Sequence, residues 1–189
     1  DWSGDGIVSV RNQASLTIQN CVFTANETKA TYVTSHTAVV FHRDTNANGT
    51  VVKNCLFHSN RIGGGGWTSV GGGSAKVVSG QVDMVSSSVV NNELYSSVAD
   101  FSPGYGGGIR IAVAARNVNS SIVWGNSDSH YPSNAPAEFQ TGAQVSVSGK
   151  CEYTLSKNGV IEPANTNGLA VDPAFVSAST GDFNLSPTS

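Results

Sequence analysis

Apolar and polar positions alternate in short runs along this chain, and the runs return at a fixed interval. Ser15-Leu16-Thr17-Ile18-Gln19 alternates at period 2, the pattern of a half-buried strand. Ahead of it the β-branched run Gly6-Ile7-Val8-Ser9-Val10 predicts another strand, set apart by the turn Arg11-Asn12-Gln13-Ala14. Behind it Asn20 bends the chain, and Cys21 and Phe23 resume the inward positions of a third. The next unit follows the same plan. It runs through Ala38-Val39-Val40-Phe41, then Thr50-Val51-Val52-Lys53 after the turn-prone Asn46-Ala47-Asn48-Gly49, then Cys55 and Phe57.

The interval is set by Asn20-Cys21-Val22-Phe23-Thr24-Ala25-Asn26. It returns as Asn54-Cys55-Leu56-Phe57-His58-Ser59-Asn60, and more loosely from Ser86 to Asn92 and from Ser120 to Asn126. The closing Asn stands at 26, 60, 92 and 126, in steps of 34, 32 and 34 residues. Such a period marks a repeat architecture, in which stacked units bury what none can bury alone. Leu16, Ile18, Cys21 and Phe23 become Thr50, Val52, Cys55 and Phe57. They then become Val82, Met84, Ser87 and Val89, and finally Arg116, Val118, Ser121 and Val123. Nearly every entry is apolar or small, which suits a dry stacked core. Arg116 departs from the column, and a slipped alignment or a side chain snorkelling outward is expected there.

The strand pattern alone would also suit an antiparallel sandwich, but the repeat favours parallel stacking, and the predicted fold is a single-stranded parallel β-helix. Four coils with a period of about 34 occupy residues 1–142, within one domain. Residues 143–189 hold a last partial coil, through Val145-Ser146-Val147 and Cys151-Glu152-Tyr153-Thr154, and irregular capping segments. Those segments, Val171-Asp172-Pro173-Ala174-Phe175 and Gly181-Asp182-Phe183-Asn184-Leu185, are expected to cover the open end, where strand edges would otherwise be exposed.

The Asn26, Asn60, Asn92 and Asn126 column reads as a structural ladder. An Asn at a tight bend adopts a left-handed backbone and bonds through its amide to the Asn above and below. Cys21 and Cys55 share one repeat position, so with Phe23 and Phe57 they form a stacked core. The two thiols either pack as small apolar groups or join in a disulfide. Cys151 has no evident partner.

After each ladder Asn the strand pattern dissolves, and loops are expected over 27–36, 61–73, 93–106 and 127–142. Glycines at 63–66, 71–73 and 106–108 read as re-entry turns, without the setting of a phosphate-binding loop. All four loops leave from one corner and should project from one edge. They carry Tyr32, Trp67, Tyr95, Tyr105 and Tyr131, aromatic faces suited to sugar rings or a partner surface, or to packing the loops onto the barrel.

Composition narrows the function. Charged residues are 12% and hydrophobic ones 39%, which argues against disorder. A net charge of -3 with ten basic residues scattered singly gives no footprint for nucleic acid. No run approaches the roughly 20 apolar residues of a membrane span. No CxxC spacing suggests zinc, and His36, His58 and His130 lack metal-ligand spacing, so no metal or cofactor is called for. Asp5, Asp172 and Asp182 sit beside Gly or Pro as turn formers. Sequons at Asn26, Asn48, Asn119 and Asn184 matter only in a eukaryotic secretory route. The abrupt opening Asp1-Trp2-Ser3-Gly4 reads as the interior of a longer protein or a processed form.

The pairing of Phe-x-x-Asn with Gly-Gly-x-Ile, in Phe23 to Asn26, Phe57 to Asn60 and Gly107-Gly108-Ile109, resembles the repeats of bacterial polymorphic outer-membrane proteins and related β-helix surface proteins. Ser121 to Asn126, Val171 to Phe175 and Gly181 to Pro187 look like the C-terminal part of secreted bacterial β-helix proteins that carry a separate anchoring domain. The resemblance implies a right-handed β-helix and secretion or display at the bacterial surface, associated with the outer membrane, with adhesion common. It transfers no catalytic residue. Val89 and Val123 depart from the Phe of the motif.

Three functions follow as alternatives. The first is an adhesive or architectural surface module, its partner a polysaccharide or a cell-surface protein. The second is a polysaccharide lyase-like enzyme, for which His42, Arg43 and Asp44, with Arg110, form the nearest set; otherwise that set is a solvated turn. The third is a structural subunit adding end to end.

Overall fold

The computed structural model describes residues 6–11, 14–29, 37–42, 49–64, 75–96, 109–111, 116–128, 145–147, 151–153, 155–156, 160–161, 165–166, 172–180 and 182–185. Among them the regular structure is β apart from one short 3-10 turn, Ala178–Thr180.

Four parallel sheets take their strands from successive units. The first contains β1 (Val8–Val10), β5 (Thr37–His42), β9 (Ala75–Gly80), β13 (Ile109–Ile111), β17 (Val145–Val147) and β20 (Val160–Ile161), in that order. The second contains β2 (Leu16–Gln19), β6 (Thr50–Lys53), β10 (Val82–Val85), β14 (Val118–Asn119), β18 (Cys151–Glu152) and β21 (Asn165–Thr166). The third contains β3 (Val22–Thr24), β7 (Leu56–His58), β11 (Ser88–Val90), β15 (Ile122–Trp124) and β19 (Leu155–Ser156). The fourth contains β4 (Glu27–Lys29), β8 (Arg61–Gly64), β12 (Glu93–Ser96) and β16 (Ser127–Asp128).

Each of the first four units therefore supplies four strands, not three. The extra strand occupies positions read from sequence as the start of each loop. Arg61, Ile62, Gly63 and Gly64 pair in parallel with Glu93, Leu94, Tyr95 and Ser96, so Gly63 and Gly64 belong to a strand and not to a re-entry turn. Charge and glycine hide the strand in the sequence, while a backbone ladder with the neighbouring units and the fully buried Ile62 hold it.

Register runs true along each sheet. Ile18 faces Val52, Val52 faces Met84, Met84 faces Val118 and Val118 faces Cys151. Phe23 faces Phe57, Phe57 faces Val89 and Val89 faces Val123. From the second unit onward these inward side chains are almost wholly buried in one apolar cluster. The Phe23 and Phe57 rings stack with centroids 4.7 Å apart and planes 2° from parallel. Cys151 is a buried cysteine in the Ile18 column.

Arg116 neither shifts the alignment nor snorkels away. Its Nη1 donates to Asp83 Oδ2 at 2.8 Å, while Asp83 Oδ1 accepts the Asn117 N–H at 2.8 Å. The guanidinium continues back to Gly49, where a Cβ would strike it. One side chain thus ties the fourth unit to the third and the second.

Single residues with positive φ turn the corners. Between the second and third sheets they are Asn20, Asn54, Ser86, Ser120 and Tyr153, at 46° to 56°. Between the third and fourth they are Ala25, Ser59, Asn91 and Gly125, at 50° to 65°. The left-handed backbone expected at Asn26, Asn60, Asn92 and Asn126 thus falls one residue earlier. The turning residue points outward, and Ala25, Ser59 and Asn91 are exposed, which leaves the following Asn pointing in.

The C-terminal segments are not irregular throughout. β22 (Phe175–Ser177) and β23 (Asp182–Leu185) form an antiparallel hairpin around the 3-10 turn. Nor do they lie only at the open end: the Phe183 ring packs 4.9 Å from the ring of His58, on β7.

Candidate functional site

The inside of the third-to-fourth corner carries a continuous polar column. Asn26 Nδ2 and N–H both donate to Asn60 Oδ1, at 2.8 and 3.1 Å. Asn60 makes the same pair of bonds to Asn92 Oδ1 at 2.8 and 3.0 Å, and Asn92 to Asn126 Oδ1 at 2.8 and 3.0 Å. The second amide hydrogen goes to backbone, from Asn60 to the Phe23 carbonyl at 2.9 Å and from Asn92 to the Phe57 carbonyl at 3.1 Å. Asn60 and Asn92 are each 1% exposed. Such groups must be satisfied internally, and the Asn60 and Asn92 amides have their donors and acceptor engaged, so these two fix register and have no spare valence for a ligand.

A second inner column holds Cys21, Cys55, Ser87 and Ser121. Each donates to the carbonyl two residues before it, the thiols at 3.2 Å and the hydroxyls at 2.8 Å. Ser87 Oγ also accepts the Cys55 N–H at 3.0 Å, and Ser121 Oγ the Ser87 N–H at 3.3 Å. Cys21 and Cys55 are free thiols, not a disulfide. Burial pushes the Cys55 thiol above its ordinary value, which keeps it protonated and donating at neutral pH.

Of the five candidate ligand-binding aromatics, Tyr32, Trp67, Tyr105 and Tyr131 lie outside the described residues. Tyr95 falls on β12, its backbone paired with Gly63, and not in a loop. In chain order, the undescribed stretches 30–36, 65–74, 97–108 and 129–144 each fall between a strand of the fourth sheet and one of the first. Those two sheets touch at one corner, through β4 with β5, β8 with β9 and β12 with β9.

Of the lyase-like set, only the His42 side chain falls within the described residues. His42 is fully buried at the end of β5, its Nδ1 2.9 Å from Thr50 Oγ1, which fits neither a solvated turn nor a solvent-facing base. Arg43 and Asp44 lie outside the described residues, and Arg110 is placed on β13 through its backbone pairing alone. His36, His130 and Asp5 are also outside them. Asp172 Oδ1 accepts the Ala174 N–H at 2.9 Å, and Asp182 Oδ1 the Asn184 N–H at 3.1 Å, both local turn bonds. Among the described residues no group of three or more His, Cys, Asp or Glu is placed to hold a metal ion. No helix there is long and apolar enough to cross a membrane.

The outer face of the third sheet is more distinctive than any pocket. Its outward column runs Thr24, His58, Val90 and Trp124, with His58 and Trp124 half-buried and Val90 fully buried. Val22 and Tyr153, also outward, are 62% and 60% exposed. The partial cover of this face was not legible in the strands themselves, because at His58 it comes from Phe183, 125 positions later in the chain. The aromatic spacing Phe175 to Phe183 was the available signal.

No protein-family model, curated protein or solved structure matches this chain.

Proposed function

We propose that the chain folds as a right-handed single-stranded parallel β-helix and acts as a secreted or bacterial cell-surface module with an adhesive or architectural role. The observation that carries this reading is the in-register stacking of four successive units, with one polar and one apolar column running through them. A parallel stack with short bends suits a rod whose interior is committed to stability and whose outer faces are left for contact. Right-handedness follows the strong preference of parallel strand crossovers. The resemblance of Phe23 to Asn26 and Phe57 to Asn60 to the repeats of polymorphic outer-membrane proteins supports surface display.

Under this reading Tyr32, Trp67, Tyr105 and Tyr131, which in chain order fall between strands of the fourth and first sheets, bind glycan. The test is a glycan array on the intact chain, with a lyase assay on uronate polymers alongside. Retention lost in Trp67→Ala and Tyr131→Ala, with circular dichroism unchanged, supports glycan adhesion. Unchanged retention removes these residues from the site, and uronate cleavage overturns the non-catalytic reading.

A further inference from the structure

The chain leaves the stack after β21, yet Phe183 lies against His58 on β7. In the third sheet β7 is three strands in from β19, about 14 Å at the usual strand spacing of roughly 4.8 Å. The hairpin therefore runs back along the side of the stack. Phe175 meets Phe183 edge to face at 5.4 Å, so the two rings form the apolar side of the hairpin, and Phe183 delivers it onto the sheet. Val90 points outward between His58 and Trp124 but has no exposed surface, which requires something lying over that face.

We propose that the C-terminal hairpin is a latch on the outer face of the third sheet, held shut while His58 is neutral and released when His58 takes up a proton. Among the described residues, the groups in contact with the imidazole are uncharged. On β3, Thr24 Oγ1 is 3.3 Å from Nδ1, and within its own corner Ser59 Oγ is 3.2 Å away. On β11 the register neighbour is Val90, and from the hairpin comes Phe183. The carboxylate beside Phe183, that of Asp182, is engaged by the N–H and Nδ2 of Asn184 at 3.1 and 2.7 Å. On the next sheet Arg61 is ion-paired with both Glu27 and Glu93. Among the described residues no counter-ion is thus in place for an imidazolium, and burial holds the ring's pKa below its ordinary 6.5.

The sign follows from that direction. A histidine whose docked pKa is lowered stabilises the docked state fully above about 6.5, and the contribution fades as pH falls through 6.5 toward the docked value. Opposing this, a protonated ring gains attraction to the Phe183 face. The latch does not depend on what the protein binds.

Hydrogen exchange of residues 175–185 in the intact chain, corrected for intrinsic rates, reads the latch at pH 7.5 and 5.5. Exchange should quicken at pH 5.5 by up to about tenfold, the ceiling set by an undocked pKa near 6.5. Strands of the second sheet should be unchanged, and His58→Gln should flatten the pH response. In Phe183→Ala, which leaves the stack intact, the His58 imidazole should titrate at higher pH by NMR than in the parent. Exchange that is flat or slower at pH 5.5, an unaltered response in His58→Gln, or an unmoved His58 titration in Phe183→Ala would each overturn the latch.

Discussion

Two corners of the stack use asparagine in the same way and to different effect. At the third-to-fourth corner, Asn60 and Asn92 are buried and linked amide to amide at 2.8 Å. At the second-to-third corner Asn54 Nδ2 donates to Asn20 Oδ1, also at 2.8 Å, but both side chains are exposed. Bond length is equal, so the difference lies in what replaces a lost bond. Water can serve Asn20 and Asn54; nothing can serve the inner column, whose amides sit against the Phe23 and Phe57 carbonyls. The sequence agrees in retrospect: the inner Asn recurs in all four units, whereas the outer one gives way to Ser86 and Ser120.

The sharpest way to press on this contrast is Asn92→Ser. A serine is too short to reach both Asn60 and Asn126, leaving buried donors and acceptors unmet on both sides. Urea unfolding should register a loss of about 2–4 kcal/mol. Next comes Arg116→Ala, which strips Asp83 of its partner where the two side chains are only 13% and 22% exposed. A loss of about 1–3 kcal/mol is expected in the same assay, smaller because the Asn117 N–H still serves the carboxylate. Asn54→Ser should do least, below about 0.5 kcal/mol, because serine already occupies the same left-handed position at Ser86 and Ser120.

Much of the fold could be read directly from the chain, since a period that repeats side-chain chemistry also repeats position. The pairing of Phe23 with Phe57 and of Ile18 with Val52 follows from counting. The fourth strand could not be read that way. Arg61, Gly63 and Gly64 show no apolar alternation, and only Thr28, Ile62 and Leu94, two places after the first three ladder Asn residues, pointed to it. Burial of His42 beside Thr50, and of Arg116 over Gly49, depends on groups from different units meeting at corners, which no window along one strand displays. The docking of Phe183 on His58 is further still from local pattern, because it joins the last strand to the second unit. The candidate site was less legible than the fold, since the aromatic positions fall between periodic segments, where periodicity carries no information.

The central claim is that equivalent residues of successive units stack, with the inner asparagines sealed from water. Paired urea titrations of Asn92→Ser and Asn54→Ser measure it most directly, the substitution being identical and only the corner differing. The account predicts midpoints that differ by the equivalent of at least about 1.5 kcal/mol, with Asn92→Ser the weaker protein. Equal midpoints, or a greater loss in Asn54→Ser, would contradict it.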